Sequence, residues 1–213
     1  MASDPTSGAT YDIFISYSRK NRALASALEA RLERYRPPDG LDLPRGHLRV
    51  FRDEGDLTGT DYYDAIQETL ASSRKLVLVC SPHARASGFV DDEVRRFLAV
   101  RGPEHVIPVL AEGIPDNEAT PDTQDQRAFP PSLLEAMELP LATSWLGFDA
   151  SVDRVDRGRF EGAWYTLLAN VLDRSREAVE ERTRKREQRR RRVAASIVAG
   201  VVVSLAALSV CAL

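Results

Sequence analysis

The chain has 213 residues, 43% of them hydrophobic and 29% charged, which suits one globular domain plus a further segment. Its net charge of −3 divides unevenly: residues 1–172 carry 19 Lys+Arg against 27 Asp+Glu, and residues 173–192 carry 10 against 5. The acidic body excludes a nucleic-acid binder, while two cysteines in apolar runs (Cys80, Cys211) and three scattered histidines (His47, His83, His105) exclude a disulfide framework and any zinc spacing. A reducing, cytosolic setting for the body is the simplest reading.

Residues 1–9 are polar and are predicted to be disordered. Tyr11-Asp12-Ile13-Phe14-Ile15-Ser16-Tyr17-Ser18 reads as a buried strand that ends in hydroxyls. Leu24, Leu28, Leu32 and Tyr35 recur at helical spacing, and Pro37-Pro38-Asp39-Gly40 stops that helix. Leu48–Phe51 is a second, short strand. The loop Arg52–Thr60 follows, then a helix marked by Tyr62, Ile66 and Leu70. Lys75–Cys80 is the third strand, and Val90, Val94, Phe97 and Leu98 line the helix after it. His105–Leu110 is the fourth strand, 112–131 an exposed loop, and Leu141–Leu146 a weak fifth strand. Phe160, Trp164, Leu167, Leu168, Val171 and Leu172 form a closing amphipathic helix that could run on through the charged neck. Strands alternating with helices predict a parallel sheet covered on both faces, with a flavodoxin-like five-stranded order as the leading topology.

Val193–Leu213 contains no charged residue, and as a helix its 21 residues would span roughly 30 Å, the thickness of a bilayer core. The arginines between Arg182 and Arg192 place the body on the cytoplasmic side and would attract anionic lipids. The expected organisation is a body over 10–172, a basic linker over 173–192 and a single-pass transmembrane helix over 193–213, with cell-membrane localisation. Ser196, Gly200 and Ser204 would form a small-residue face suited to close helix contact.

The third strand runs into Ser81-Pro82 and a new helix, so Glu93 lies near the carboxyl end of the sheet, where open α/β folds bind ligands. Wheel geometry puts Glu93 about 60° from Val90, at the border of the apolar stripe, with Asp91 at the other border and Asp92 outward. Spacing therefore leaves Glu93 tied with Asp91, and on spacing alone a solvated helix glutamate is the simpler reading. No G-x-G-x-x-G, G-K-[ST] or G-x-S-x-G motif is present, so a dinucleotide fold, a P-loop and a hydrolase elbow are excluded.

The succession Tyr11–Ser18, then Phe51-Arg52-Asp53-Glu54, then Ser72-Ser73-Arg74, then Ser81-Pro82 and Ser87-x-Phe89-Val90-x-x-Glu93 resembles a Toll/interleukin-1 receptor (TIR) domain over about residues 10–172. Arg-Val-Phe-Arg-Asp-Glu, Phe129-Pro130-Pro131 and the Arg-rich neck resemble the bacterial members. The resemblance implies hydrolysis of NAD+ to nicotinamide and linear or cyclic ADP-ribose, with NAD+ as substrate and no metal or cofactor. It also implies self-association through TIR domains and a role in bacterial defence. It maps the catalytic glutamate onto Glu93. One departure is Phe89, where family members usually carry Trp. The resemblance makes Phe89 a pocket wall, whereas its place in the apolar stripe equally allows helix–sheet core. Tyr17 and Ser18 either reach the substrate or form an ordinary strand-end turn. Arg52 and Asp53 either border the nucleotide or form a surface ion pair. The rival function is a non-enzymatic adaptor that binds other TIR domains through Arg52–Thr60.

Overall fold

Apolar runs that alternate with amphipathic ones build one sheet here. The computed structural model describes residues 11–37, 46–52, 60–186, 188–189, 192–193 and 196, with backbone alone over 60–65. Five strands, β1 (Tyr11–Tyr17), β2 (Val50–Arg52), β3 (Ser73–Cys80), β4 (Val106–Leu110) and β5 (Thr143–Ser144), pair in the order β2-β1-β3-β4-β5. Every pairing is parallel, as the flavodoxin-like expectation required. The central strands read as continuous apolar runs because both of their faces are covered. Ile13, Ile15, Val77, Val79, Ile107 and Val109 pack on one side with α1 (Arg22–Arg34) and α6 (Glu161–Leu172). Phe14, Leu76, Leu78, Cys80 and Leu110 pack on the other with α2 (Thr60–Ala71), α4 (Gly88–Arg101) and α5 (Pro131–Ala136). Between β3 and α4 lies the single turn α3 (Pro82–Arg85), whose Ala84 N–H donates to the capping hydroxyl of Ser81 at 3.0 Å. Burial pushes the Cys80 thiol pKa far up, so it behaves as an inert core side chain.

The weak fifth strand is shorter than its predicted run. Only Thr143 and Ser144 pair with β4, and the next residue, Trp145, is fully buried and donates its backbone N–H to Leu110 O at 2.8 Å. The stretch 112–131 is more than an exposed loop. Arg85 donates to Asp116 Oδ1 at 2.6 Å and to the Phe129 carbonyl, and Ala128 and Phe129 are buried beneath it. Gly113 makes the turn possible: it has φ +82°, and a Cβ there would meet Gln126 O at 2.3 Å. Gly113→Ala should therefore destabilise the fold by about 1–3 kcal/mol, read as a lower urea midpoint with an unchanged m-value.

The closing helix does not run on into the neck. α6 ends at Leu172, and Asp173 takes a left-handed conformation (φ 51°) that carries its carboxylate to the Lys75 ammonium at 2.6 Å. A separate helix, α7 (residues 176–186), follows. Arg176–Glu180, Glu180–Arg184 and Glu181–Lys185 pair along it. The expectation of a membrane span, and with it of a cell-membrane localisation, is corrected: among the described residues no helix is long and apolar enough to cross a membrane. The described helix is charged along its length. The apolar run that suggested the span lies almost wholly outside the described residues, with Val193 and Ser196 the exceptions. The lipid contact expected of the arginines rested on that span.

Candidate functional site

β1 lies between β2 and β3, so the chain leaves its carboxyl end in one direction for β2 and returns on the other side for β3. This is the topological switch point, at which open α/β folds bind their ligands. The loops bounding it are joined across the gap: Ser81, after β3, donates to Asn21 Oδ1 at 2.6 Å at the start of α1. Ser81 thus serves as cap and tether, and its burial is complete.

Three consecutive carboxylates enter this region on α4, and the structure gives each a different partner. Asp91 accepts the Ser132 N–H at 2.8 Å, supplying the acceptor that the N-cap of α5, Pro130, has no side chain to provide. Partial burial would raise the Asp91 pKa, but the Ser132 hydrogen bonds and the Arg95 guanidinium outweigh it and hold it below the ordinary 3.8. Asp92 accepts from Arg96 Nε at 2.7 Å, one turn along on the exposed face. Glu93 turns to the sheet, where Ser16 Oγ donates to its Oε2 at 2.6 Å. Ser16 follows Phe14 on the α4 side of β1 and is 1% exposed, so the bond has little freedom to wander. The tie between Asp91 and Glu93 is thereby broken: one carboxylate is part of the α4–α5 joint, and the other sits at the end of β1.

The Asp91 role has a measurable consequence. A carboxyl whose folded pKa is lowered adds stability above its unfolded value, and that stability is lost as pH falls through the folded value. Asp91→Ala should cost about 1 kcal/mol at neutral pH, a Tm drop of roughly 2–4 °C. Thermal melts repeated below about pH 4 should show wild type and variant converging.

Tyr17 and Arg52 lie at the same sheet edge on the opposite face. Arg52 pairs in register with Ile15 and points to α1, donating from Nε to Glu29 Oε2 at 2.6 Å and from Nη1 to the Tyr17 hydroxyl at 2.8 Å. Desolvation works against its charge, yet the Glu29 and Tyr17 bonds prevail and raise its pKa beyond the usual arginine range. Arg52 pairs with Glu29 of α1 at 2.6 Å, while Asp53, and with it the reading of the two as a surface ion pair, lies outside the described residues. Ser18 stands at the turn after β1 and makes no side-chain cap. Phe89 exposes 79% of its surface in the first turn of α4, so it is not helix–sheet core.

Strand alternation thus divides the predicted set. Glu93 is gathered with Ser16 on the α4 side, while Tyr17 and Arg52 are gathered with Glu29 on the α1 side. Ser16, Glu29 and Asn21 were not among the predicted site residues. Ser16 alone carried a signal, as the serine that follows Ile13-Phe14-Ile15 within the strand. Among the described residues no group of His, Cys, Asp and Glu could hold a metal ion. A cavity of about 540 Å³ lies elsewhere, between α1, α6 and α7, and includes none of these residues.

A five-stranded parallel α/β domain with a hydrogen-bonded carboxylate at its switch point defines the class. A family model described as TIR domain matches residues 13–133, more than half of the chain. The chain belongs to the TIR domain family. It is also similar to NAD(+) hydrolase ApTIR of Actinoplanes sp., at 32% identity over 178 residues. That match covers 80% of this chain and only 24% of the relative, so the chain spans about a quarter of that protein's length. Among solved structures, the TIR domain of the Toll-related receptor TRR-2 from Hydra magnipapillata is 17% identical with a TM-score of 0.45. It covers 76% of this chain and 98% of that one. The TIR domains of the activated Roq1 resistosome are also 17% identical, with a TM-score of 0.34, covering 82% of this chain and 80% of that one.

Proposed function

We propose that this chain is an NAD+ hydrolase whose reaction centre is Glu93, acting when several TIR bodies are brought together. The observation that carries the reading is the bond from Ser16 to Glu93 at the switch point, with Asp91 and Asp92 committed elsewhere. The similarity to a TIR protein named as an NAD(+) hydrolase supports it.

In the proposed reaction the bond between ribose C1′ and the nicotinamide nitrogen breaks, and its electron pair neutralises the pyridinium. The sugar passes through an oxocarbenium-like state, and water adds at C1′, releasing a proton and leaving ADP-ribose. A carboxylate fixed beside C1′ stabilises the developing positive charge and accepts from ribose hydroxyls. Ser16 holds one carboxylate oxygen in place and so reduces the reorganisation needed during bond cleavage. Nicotinamide leaves as a neutral molecule, so no cofactor is required. Residues 10–172 form the catalytic body in this reading, and a role in bacterial defence by NAD+ depletion is its biological extension. Phe89, exposed beside Glu93 on α4, is the side chain that a substrate or a neighbouring body would cover.

The test is nicotinamide release from NAD+ by purified protein cross-linked through an N-terminal tag. Release by the clustered wild type, lowered by at least about 100-fold in clustered Glu93→Gln, supports the proposal. Clustered wild type that leaves NAD+ intact while still binding a TIR partner overturns it in favour of the adaptor.

A further inference from the structure

The cavity of about 540 Å³ beneath α7 has a lining unlike that of an ordinary packing gap. Five arginines (Arg31, Arg34, Arg36, Arg157, Arg186) face two carboxylates (Asp156, Glu161), leaving an excess of positive charge. Asp156 cannot balance its surroundings. Its buried carboxylate meets Arg31 at 2.7 Å, Arg157 at 3.7 Å and Arg154 at 3.8 Å, one negative charge among three guanidiniums. Arg31 Nε is buried and paired with Asp156 by distance, yet the alignment gives it no hydrogen bond. A buried N–H in that state is costly unless something accepts from it. Tyr35, Trp164 and Tyr165 also line the cavity but are at most 5% exposed, so an occupant would meet guanidiniums rather than ring faces.

We infer that this cavity is a second, anion-binding site for a nucleotide bearing a pyrophosphate. Guanidinium groups bind phosphate oxygens in pairs, and several arginines together suit a multiply charged ligand. The volume is within the range of about 300–1,000 Å³ usual for small-molecule sites and exceeds what one inorganic phosphate fills. Choosing a nucleotide diphosphate within this chemistry rests on the NAD+ reading above, because ADP-ribose is the product released there. The site also bridges two parts of the molecule. Its outer wall is α7, held by Thr183 Oγ1 against the Tyr35 hydroxyl at 3.3 Å, by Arg186 on the carbonyls of Arg36 and Pro37, and by the fully buried Val179. An anion drawn to Arg31 and Arg157 on the body and to Arg186 on α7 clamps the helix to the body, so ligand occupancy and α7 docking are coupled.

Calorimetry with ADP, which has no nicotinamide bond to cleave, tests this on the full chain. Wild type should bind ADP, and Arg34→Glu/Arg157→Glu, both exposed positions, should weaken binding at least about tenfold. Nicotinamide release by that clustered variant should be unchanged, which separates the site from Glu93. Amide exchange over 179–186 should slow when ADP is present. No heat at up to ~1 mM ADP, equal affinity in the double variant, or inorganic phosphate binding as tightly as ADP would each overturn the nucleotide site. Unchanged exchange in α7 would overturn the coupling. If clustered wild type fails to cleave NAD+, the hydrolase reading falls, while ADP binding and its loss in the double variant still decide the cavity.

Discussion

Glu93→Gln is expected to lower NAD+ cleavage by clustered protein by roughly 10²–10³-fold, the usual cost of deleting one electrostatic partner of a charged transition state. Glutamine is nearly isosteric and keeps a carbonyl oxygen for the Ser16 hydroxyl, so the variant should melt within about 1 °C of wild type. The pairing of these two readouts makes the result interpretable. A glutamate that serves only the α4 surface would alter neither by much. A glutamate that only fastens α4 to β1 would lower Tm without a selective loss of turnover. Ser16→Ala supplies the graded companion, because it leaves the charge and removes its anchor. It should reduce kcat by about tenfold, with KM little changed, since positioning is realised chiefly in the transition state. Chromatographic nicotinamide release at saturating NAD+ gives both comparisons.

The contrast between Glu93 and Asp91 shows how far residue spacing could reach. Both border the apolar stripe of α4, and a helical wheel has no information about what lies across from each border. Asp91 meets α5, a six-residue helix opened by Pro131 that is too short for periodicity to announce. Glu93 meets Ser16, 77 residues earlier, a partner visible only once β1 and α4 are packed. The strands themselves were readable because burial on both faces makes them continuous apolar runs. β5 was weak in sequence because just two residues pair, the neighbouring anchor being the single buried ring of Trp145. The stretch 112–131 looked like loop from its Pro and Asp content, yet Asp116 is the residue that ties it to Arg85. Composition registers such a carboxylate as polar and says nothing of the guanidinium waiting for it.

Arg52→Ala should lower stability by about 2 kcal/mol, a Tm decrease of roughly 4–8 °C, because Arg52 is a fastener between β2 and α1. Its side chain is 7% exposed and its Glu29 partner 25%, so removing it strands a half-covered carboxylate and the Tyr17 hydroxyl. The loss is smaller than for a fully buried pair, since water still reaches Glu29. Removing Glu29 in addition should cost little more, and a double-mutant cycle of Arg52→Ala with Glu29→Ala should give a coupling of about 1–2 kcal/mol. The same variant decides what the resemblance left open at this position. If Arg52 acts on the nucleotide directly, Arg52→Ala raises KM for NAD+ while Tm stays close to wild type. If it acts through the sheet edge, Tm falls and Glu29→Ala reproduces the loss. The geometry favours the second outcome: Arg52 and Tyr17 lie on the α1 face, and Ser16 and Glu93 on the α4 face, of the same strand end. Their influence on Glu93 then runs through the backbone of β1, whose side chains alternate between the two.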